Sequence, residues 1–373
     1  MGHISNKPII LYPKHYTEND IDNFKKTHNI WQEVDIFHEQ VKELLELRYP
    51  NSPKRAKYEE RILKEYTDNN SAWVYYPWSG ILLHCLGKEE LFELRTNRNR
   101  NLVSKEEQTK LREITIGVAG MSVGASIAIG AVQGGMSSTI KLADLDHIVT
   151  TNLNRVRESL HNVGQSKVQL IAQHIYELDP FTNVNLYEKG INKSNIDNFF
   201  TEPKVDIVVD EIDDFKMKVQ LRLHAKKQGI PLLMFTSLGD NILIDVERYD
   251  LEPELQIFNG LLGSLSDEII NKPEITKDDE KRYAVQLVGQ EYIPTRALAS
   301  LLETGHTLVG RPQLYSTIAV DGGLAVYVIR QIILSGKPVS GRYFIKFADL
   351  FDIVNTDLSK TNERIEILKK LFS

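Results

Sequence analysis

The stretch ITIGVAGMSVGASIAIGAVQGG, Ile114–Gly135, decides how this chain is read. Its first half, ITIGVAG, is a short apolar run of buried-strand character. It passes directly into GMSVGAS, Gly120 to Ser126, and then into the small-residue helical stretch AIGAVQGG. A side-chain-poor turn at a helix N-terminus exposes backbone N–H groups along the positive end of the helix dipole, an arrangement suited to phosphate oxygens. Set against the dinucleotide pattern GxGxxG, the turn keeps Gly120 but has Ser122 and Ala125 at the other glycine positions, with Gly124 displaced between them. Two readings therefore stand side by side at this point: a phosphate-binding turn, or a turn that only lets the helix approach the sheet.

Working outward, STIKLAD, VDIVVDE and IPLLMFTS repeat the short buried-strand grammar, and amphipathic helical stretches separate them. Strands alternating with helices predict a parallel sheet covered on both faces. The fold class expected is α/β: a Rossmann-like mixed sheet with helices on both faces, preceded by a small α/β N-terminal extension. The helix after Ser166 carries Val168, Ile171, Ile175 and Leu178 on one face and is expected to stop at Pro180. The second strand run ends in Asp144, with Asp146 two residues on. A carboxylate there suits ribose hydroxyls, and equally suits solvent at a strand end.

TTNLNRVR follows at once, then GQSKVQ, then VVDEIDDFKMK. This ordered set, from glycine turn through acidic strand end, NLNR and GxxK helix start to a strand ending in D-x-x-D, resembles the ThiF/MoeB superfamily. That superfamily includes the ubiquitin-activating enzymes and the microcin-maturing adenylyltransferases. The resemblance covers about residues 95 to 250 and, more loosely, RPQLYSTIAVDGGLA and the last strand run. It implies an ATP-dependent adenylyltransferase that activates a carboxylate as an acyl-adenylate. Gly120, Ser122 and Gly124 would form the nucleotide turn, with Asp144 on the ribose and Asp146 beside it; Asn152, Arg155 and Lys167 would contact the triphosphate. Asp213 falls where the family has its Mg²⁺-binding aspartate. These types suit the chemistry, because a carboxylate attacking the α-phosphorus brings anions together and Arg, Lys and Mg²⁺ offset the repulsion. Upstream, RTNRNRNLV resembles the family's arginine-rich segment, in which an arginine of one subunit reaches the nucleotide of the other. Arg100 is the match, Arg98 the alternative, and a homodimer is implied. WVYYPWSG and RTNRNRN also resemble the ThiF-like half of bacterial proteins joined to nitroreductase-type flavin domains; no flavin domain is expected here.

The chain departs from the family where thiols are concerned. Cys85 is its one cysteine and sits in an apolar run, so a buried inert thiol is expected, a thioester step is disfavoured and no zinc is expected. A formal net charge of −6 without long charge blocks makes nucleic acid an unlikely partner. No apolar run reaches the roughly 20 residues of a bilayer span, Asp321 and Arg330 interrupt the longest, and no secretory signal opens the chain, so no membrane association and a cytoplasmic location are expected. The partner expected is a carboxylate-bearing substrate: a peptide, small protein or small molecule.

Around the core, residues 1–94 read as the N-terminal extension and 95–373 as the adenylation domain, with a nucleotide core at 111–250 and a substrate or dimer portion at 251–373. Asn19 to Leu47 has helical spacing, as does Tyr58 to Tyr66, and WVYYPWSGILLHCL reads as a hairpin that offers an edge strand to a peptide. The run KDDEKR is expected on a solvated loop or helix face, YSTIAVDGGLAVYVIRQIILSG on a helix packed against the sheet or a partner subunit, and GRYFIKFADLF on a final strand. Two other functions remain open: a catalytically silent nucleotide-binding scaffold, and an NAD-dependent oxidoreductase. A dehydratase acting on a modified tRNA base is a related variant without an evident RNA surface in the sequence.

Overall fold

The structure is a computed structural model and describes residues 7–12, 17–51, 70–351 and 361–372. The chain divides into two compact units: one holds the residues up to Glu113 with 131–138 and 169–183, the other holds 114–130, 139–168 and the residues from Val184 on.

The larger unit is built on a seven-stranded sheet of order β11-β10-β9-β8-β5-β6-β7. Its central strands β5 (Thr115–Ala119), β6 (Thr139–Ala143), β8 (Ile207–Asp210) and β9 (Leu232–Leu238) correspond to the apolar runs read from the sequence. Parallel pairing joins β6 to β5, β5 to β8 and β8 to β9. Ile116, Val118, Val208, Val209, Leu232 and Leu233 are fully buried, as continuous apolar strands covered on both faces must be. β10 (Asn241–Glu247) and β11 (Gly341–Lys346) extend the sheet by antiparallel pairing, which makes it mixed. β10 and the edge strand β7 (Asn183–Tyr187) have no counterpart among the sequence expectations.

Every β10 residue is buried, including two acids that are paired there. Arg342 meets Asp245 at 2.7 Å, and Arg222 meets Glu247 at 2.8 Å. Arg222, wholly buried, also reaches Asp210 at 2.5 Å, while Lys218 meets the same carboxylate at 3.2 Å. The three cations and three anions balance, which is the condition under which charge is tolerated in a protein interior.

The helix Tyr315–Ser335 buries Ile318, Gly322, Ala325, Ile329 and Ile332 along one face, a helical stripe facing β9 and β10. Its length and composition would also suit a bilayer span, and 44% of its most apolar window is buried within this unit. KDDEKR forms the first turns of the helix Lys277–Val288, capped by Thr276, with most of its side chains toward solvent. Of GRYFIKFADLF, expected as a strand, Gly341–Lys346 forms β11 and Phe347–Leu350 a short helix.

In the smaller unit, β3 (Ser71–Tyr76) and β4 (Ile81–Leu86) form the expected hairpin, with Tyr76 opposite Ile81. The sheet order is β1-β3-β4-β2, so neither hairpin strand is an edge: β1 (Ile9–Leu11) covers β3 and β2 (Gln32–Asp35) covers β4. That corrects the expectation of a free edge there. A second correction concerns Asn19–Leu47, which is two helices, Glu18–Thr27 and Phe37–Arg48, separated by β2. The parallel β2–β4 ladder takes up backbone groups that a continuous helix would have satisfied internally, and helical spacing of Ile30, Val34 and Phe37 cannot reveal that competition. Tyr58–Tyr66 lies outside the described residues. Cys85 is buried and its thiol is pushed up to about 12 by that burial, in keeping with an inert side chain.

Candidate functional site

Register places the site. Ala119 pairs with Ala143 on one side and with Asp210 on the other, so the residues that follow each strand, Gly120, Asp144 and Glu211, emerge level with one another at the sheet's C-terminal edge. This edge is where open α/β sheets place their ligand crevices.

The turn itself is sterically exacting. Gly120 has φ +96°, and a Cβ there would lie 2.3 Å from the Glu211 carbonyl oxygen. At Gly124 a Cβ would lie 2.7 Å from Val118 Cγ1 as the helix Val123–Gln133 starts over β5. Gly120 thus serves close approach of the turn to the backbone that follows β8, and Gly124 that of the helix to the sheet, so the structural account of the turn holds whether or not it also binds phosphate.

Asp144 accepts from the backbone N–H of Met121 at 2.6 Å and of Asp146 at 2.8 Å, which ties the end of β6 to the glycine turn. Lys167, the first residue of the helix Lys167–Leu178, is buried; its Nζ donates to Asp146 at 2.8 Å and lies 3.7 Å from Asp144. Asn152 is buried in the 3₁₀ turn Thr150–Asn152, where its side-chain oxygen accepts from the Val149 N–H at 3.2 Å.

On the other side of the turn, Arg155 Nε donates to Ser122 Oγ at 3.3 Å, and its Nη1 donates to the Thr151 carbonyl and to Asn154. The serine at the second glycine position is therefore accommodated by a partner. Partial burial pulls the Arg155 guanidinium below its ordinary value; nearby Asp213 opposes that fall and nearby Arg311 adds to it. Asp213, in the loop after β8, is 94% exposed at its side chain and meets Arg311 at 3.3 Å. The sequence reading did not single out Arg311. The segment that carries it is laid over the NLNR loop, because Asn154 donates to the Gln313 carbonyl at 2.9 Å and Arg157 to the Tyr315 hydroxyl at 3.2 Å.

Behind this cationic group lie two carboxyls that sequence reasoning also missed as site residues. Glu211 accepts from the Phe235 N–H at 2.8 Å, and desolvation holds its carboxyl well above the ordinary range; Lys218 and the Phe235 N–H oppose that rise, and Asp321 and Asp210 reinforce it. Asp321, fully buried on the helix Tyr315–Ser335, accepts from Ser237 Oγ through one oxygen, while the other is enclosed without a partner. Burial pushes this carboxyl up to about 7 despite the Ser237 hydrogen bond.

Arg155, Asp213 and Ser122 are thus brought together, as are Lys167, Asp144 and Asp146, and the Gly120–Ser122 turn joins the two groups. Arg100 belongs to the smaller unit, where it follows the 3₁₀ turn Asn97–Asn99; both Arg98 and Arg100 are exposed. Among the described residues no cluster of three or more His, Cys, Asp or Glu side chains suits a metal ion. A single exposed aspartate still fits Mg²⁺, which commonly takes one or two carboxylates and completes its shell with phosphate oxygens and water.

Residues 96–241 match the ThiF family. Particular relatives differ in extent. Uncharacterized protein MT1398 of Mycobacterium tuberculosis (strain CDC 1551 / Oshkosh) is 36% identical over 281 residues, covering 75% of this chain and 38% of that protein. The tRNA threonylcarbamoyladenosine dehydratase of Bacillus subtilis (strain 168) is 29% identical over 156 residues, covering 42% of this chain and 60% of that one. The chain therefore spans less than two thirds of the length of each. Among solved structures, the E. coli tRNA N6-threonylcarbamoyladenosine dehydratase TcdA in complex with ATP is similar with a TM-score of 0.47 and 17% identity, covering 67% of this chain and 98% of that one.

Proposed function

We propose that the chain adenylates a carboxylate at the expense of ATP, releasing pyrophosphate and without forming a thioester. The observation that carries this reading is the convergence of Arg155, Arg311 and Asp213 beside the Ser122 turn, within a segment of the ThiF family. In the reaction, a carboxylate oxygen of the substrate attacks the α-phosphorus, the bond to the bridging oxygen of the β-phosphate breaks, and pyrophosphate leaves. The nucleophile is already ionised, so no general base is needed. What the protein must supply is cationic stabilisation of gathering negative charge, and preorganised arginines do this without reorganising at the moment of reaction. Mg²⁺ held by Asp213 would add charge neutralisation at the phosphates. In this reading Asp144, fixed by two backbone N–H groups, takes a ribose hydroxyl, and Lys167 and Asn152 take the phosphates.

A homodimer in which Arg100 enters the partner's site belongs to the same reading, as does a peptide, small protein or small molecule as the acyl substrate. The oxidoreductase alternative leaves the Arg155, Asp213 and Arg311 group without a task. The silent-scaffold alternative draws on the glycines missing at positions 122 and 125, and the Ser122 bond to Arg155 weakens that argument at the first of them. The test is Mg²⁺-dependent exchange of labelled pyrophosphate into ATP across a panel of carboxylates. ATP binding with no exchange for any acid would remove the catalytic reading.

A further inference from the structure

An apolar groove opens beside Arg311, within the larger unit. Its walls come from Leu238 at the end of β9, from Val285 and Val288 on the helix Lys277–Val288, and from Ile293 and Leu301 around the helix Thr295–Glu303. The groove holds about 530 Å³ of atom-free space, counted out into solvent at its mouth. Arg311 is the only charged residue among the described residues that line it, and Ser237, hydrogen-bonded to Asp321, supplies its hydroxyl.

Two features fix what the groove accepts. Its cation is the one that meets Asp213 at 3.3 Å and acts electrostatically on Arg155, so the groove is continuous with the group assigned to the phosphates. Beyond that cation the walls are mostly aliphatic, with Ser237 and Gln313 as the polar side chains and no second charge among the described residues that line it. A ligand with its anionic end at Arg311 and its body in the groove would present a carboxylate toward Arg155 and would bury a hydrophobic group.

We propose that this groove is the acyl-substrate site, and that the substrate is a carboxylic acid bearing a branched aliphatic or aromatic group within a few bonds of its carboxylate. The proposal rests on the adenylation reading for the role of the carboxylate. The groove's preference for apolar acids is a separate matter and can be measured separately. Free acids and peptides ending in an apolar residue share this chemistry, and the probes distinguish them.

The experiment pairs ligand-observed NMR with pyrophosphate exchange on the full chain. The probes are 4-methylpentanoate, 3-phenylpropanoate, N-acetyl-alanyl-leucine and succinate, each with ATP and Mg²⁺. The two apolar acids should bind at least about tenfold more tightly than succinate, the gain expected from burying one such group. Ala297→Trp, which fills the groove from one wall, should abolish that preference while ATP binding and the melting temperature stay unchanged. If that variant does not fold, Val288→Thr, close in volume but polar, should weaken the apolar acids severalfold. Tighter binding of N-acetyl-alanyl-leucine than of 4-methylpentanoate would support the site and assign it to peptides; the reverse would support it and assign it to free acids. Apolar binding without exchange would keep the groove and remove the adenylation reading. Exchange that proceeds as well with succinate would keep adenylation and overturn the groove's role, as would failure of every apolar acid to bind.

Discussion

Ser237, on β9, donates its hydroxyl hydrogen to Asp321, on the helix Tyr315–Ser335, and the second oxygen of that carboxylate has no partner in the interior. The carboxyl is pushed up to about 7 from an ordinary 3.8. Between those values the folded chain holds a proton that the unfolded chain has lost. Stability is therefore fullest below about pH 4 as far as this group is concerned, and it declines as pH rises toward 7, by at most roughly 1.4 kcal/mol per pH unit. Asp321→Asn keeps an acceptor for Ser237 and carries no charge. Urea denaturation from pH 4.5 to 8 should show a flatter profile for the variant, with its advantage largest at the alkaline end; parallel profiles would disprove the raised value.

Asp213→Ala and Arg155→Ala should each lower pyrophosphate exchange by about a hundredfold, a loss on the order of 3 kcal/mol at the transition state. Asp213 is exposed and Arg155 only partly enclosed, so circular dichroism and melting should change little. Full exchange in both variants would remove the assignment.

Gly120→Ala should damage folding as well as binding. Its backbone φ of +96° is costly for a residue with a side chain, and the new Cβ would be driven to 2.3 Å from a backbone oxygen that has nowhere to go. A loss on the order of 3 kcal/mol or an insoluble product is expected. Gly164→Ala is the informative comparison, because its φ is also positive, +93°, with nothing within 4 Å of the added carbon, and it should cost about 1 kcal/mol. Equal losses, read from chemical denaturation, would show that backbone strain alone matters and that the approach of Glu211 does not.

Cys85 should resist thiol reagents at pH 8 until the chain is unfolded, since its thiol is buried and raised to about 12. Timed labelling followed by mass measurement checks this. Rapid labelling of folded protein would return the thioester chemistry to consideration.

Much of the core was legible because its signals are local. An apolar run such as Ile207–Val209 reads as a buried strand by composition, and a small-residue turn after such a run predicts a helix pressed on the sheet. Asn152, Arg155, Lys167 and Asp213 came from an ordered motif. What stayed illegible depends on partners distant in sequence. β7, Asn-Val-Asn-Leu-Tyr, is a half-exposed edge strand whose asparagines conceal it, and β10 carries acids that only Arg222 and Arg342 make acceptable inside. Asp321 registered only as a charge interrupting an apolar helix, because its bond to Ser237 spans 84 positions. Arg311 was passed over for the same reason: Asp213, its partner, is 98 positions away.

The column formed by Lys218, Asp210, Arg222 and Glu247 stands directly behind the strand end from which Glu211 and Asp213 emerge. Losing any one member strands an opposite charge in the interior, at about 3–5 kcal/mol, a large share of a domain's whole margin. Lineages descending from this chain can alter the column only through coordinated double replacements. The loop in front of it carries Asp213 exposed to solvent, so the buried column holds the strand end rigid while the aspartate stays open to a ligand.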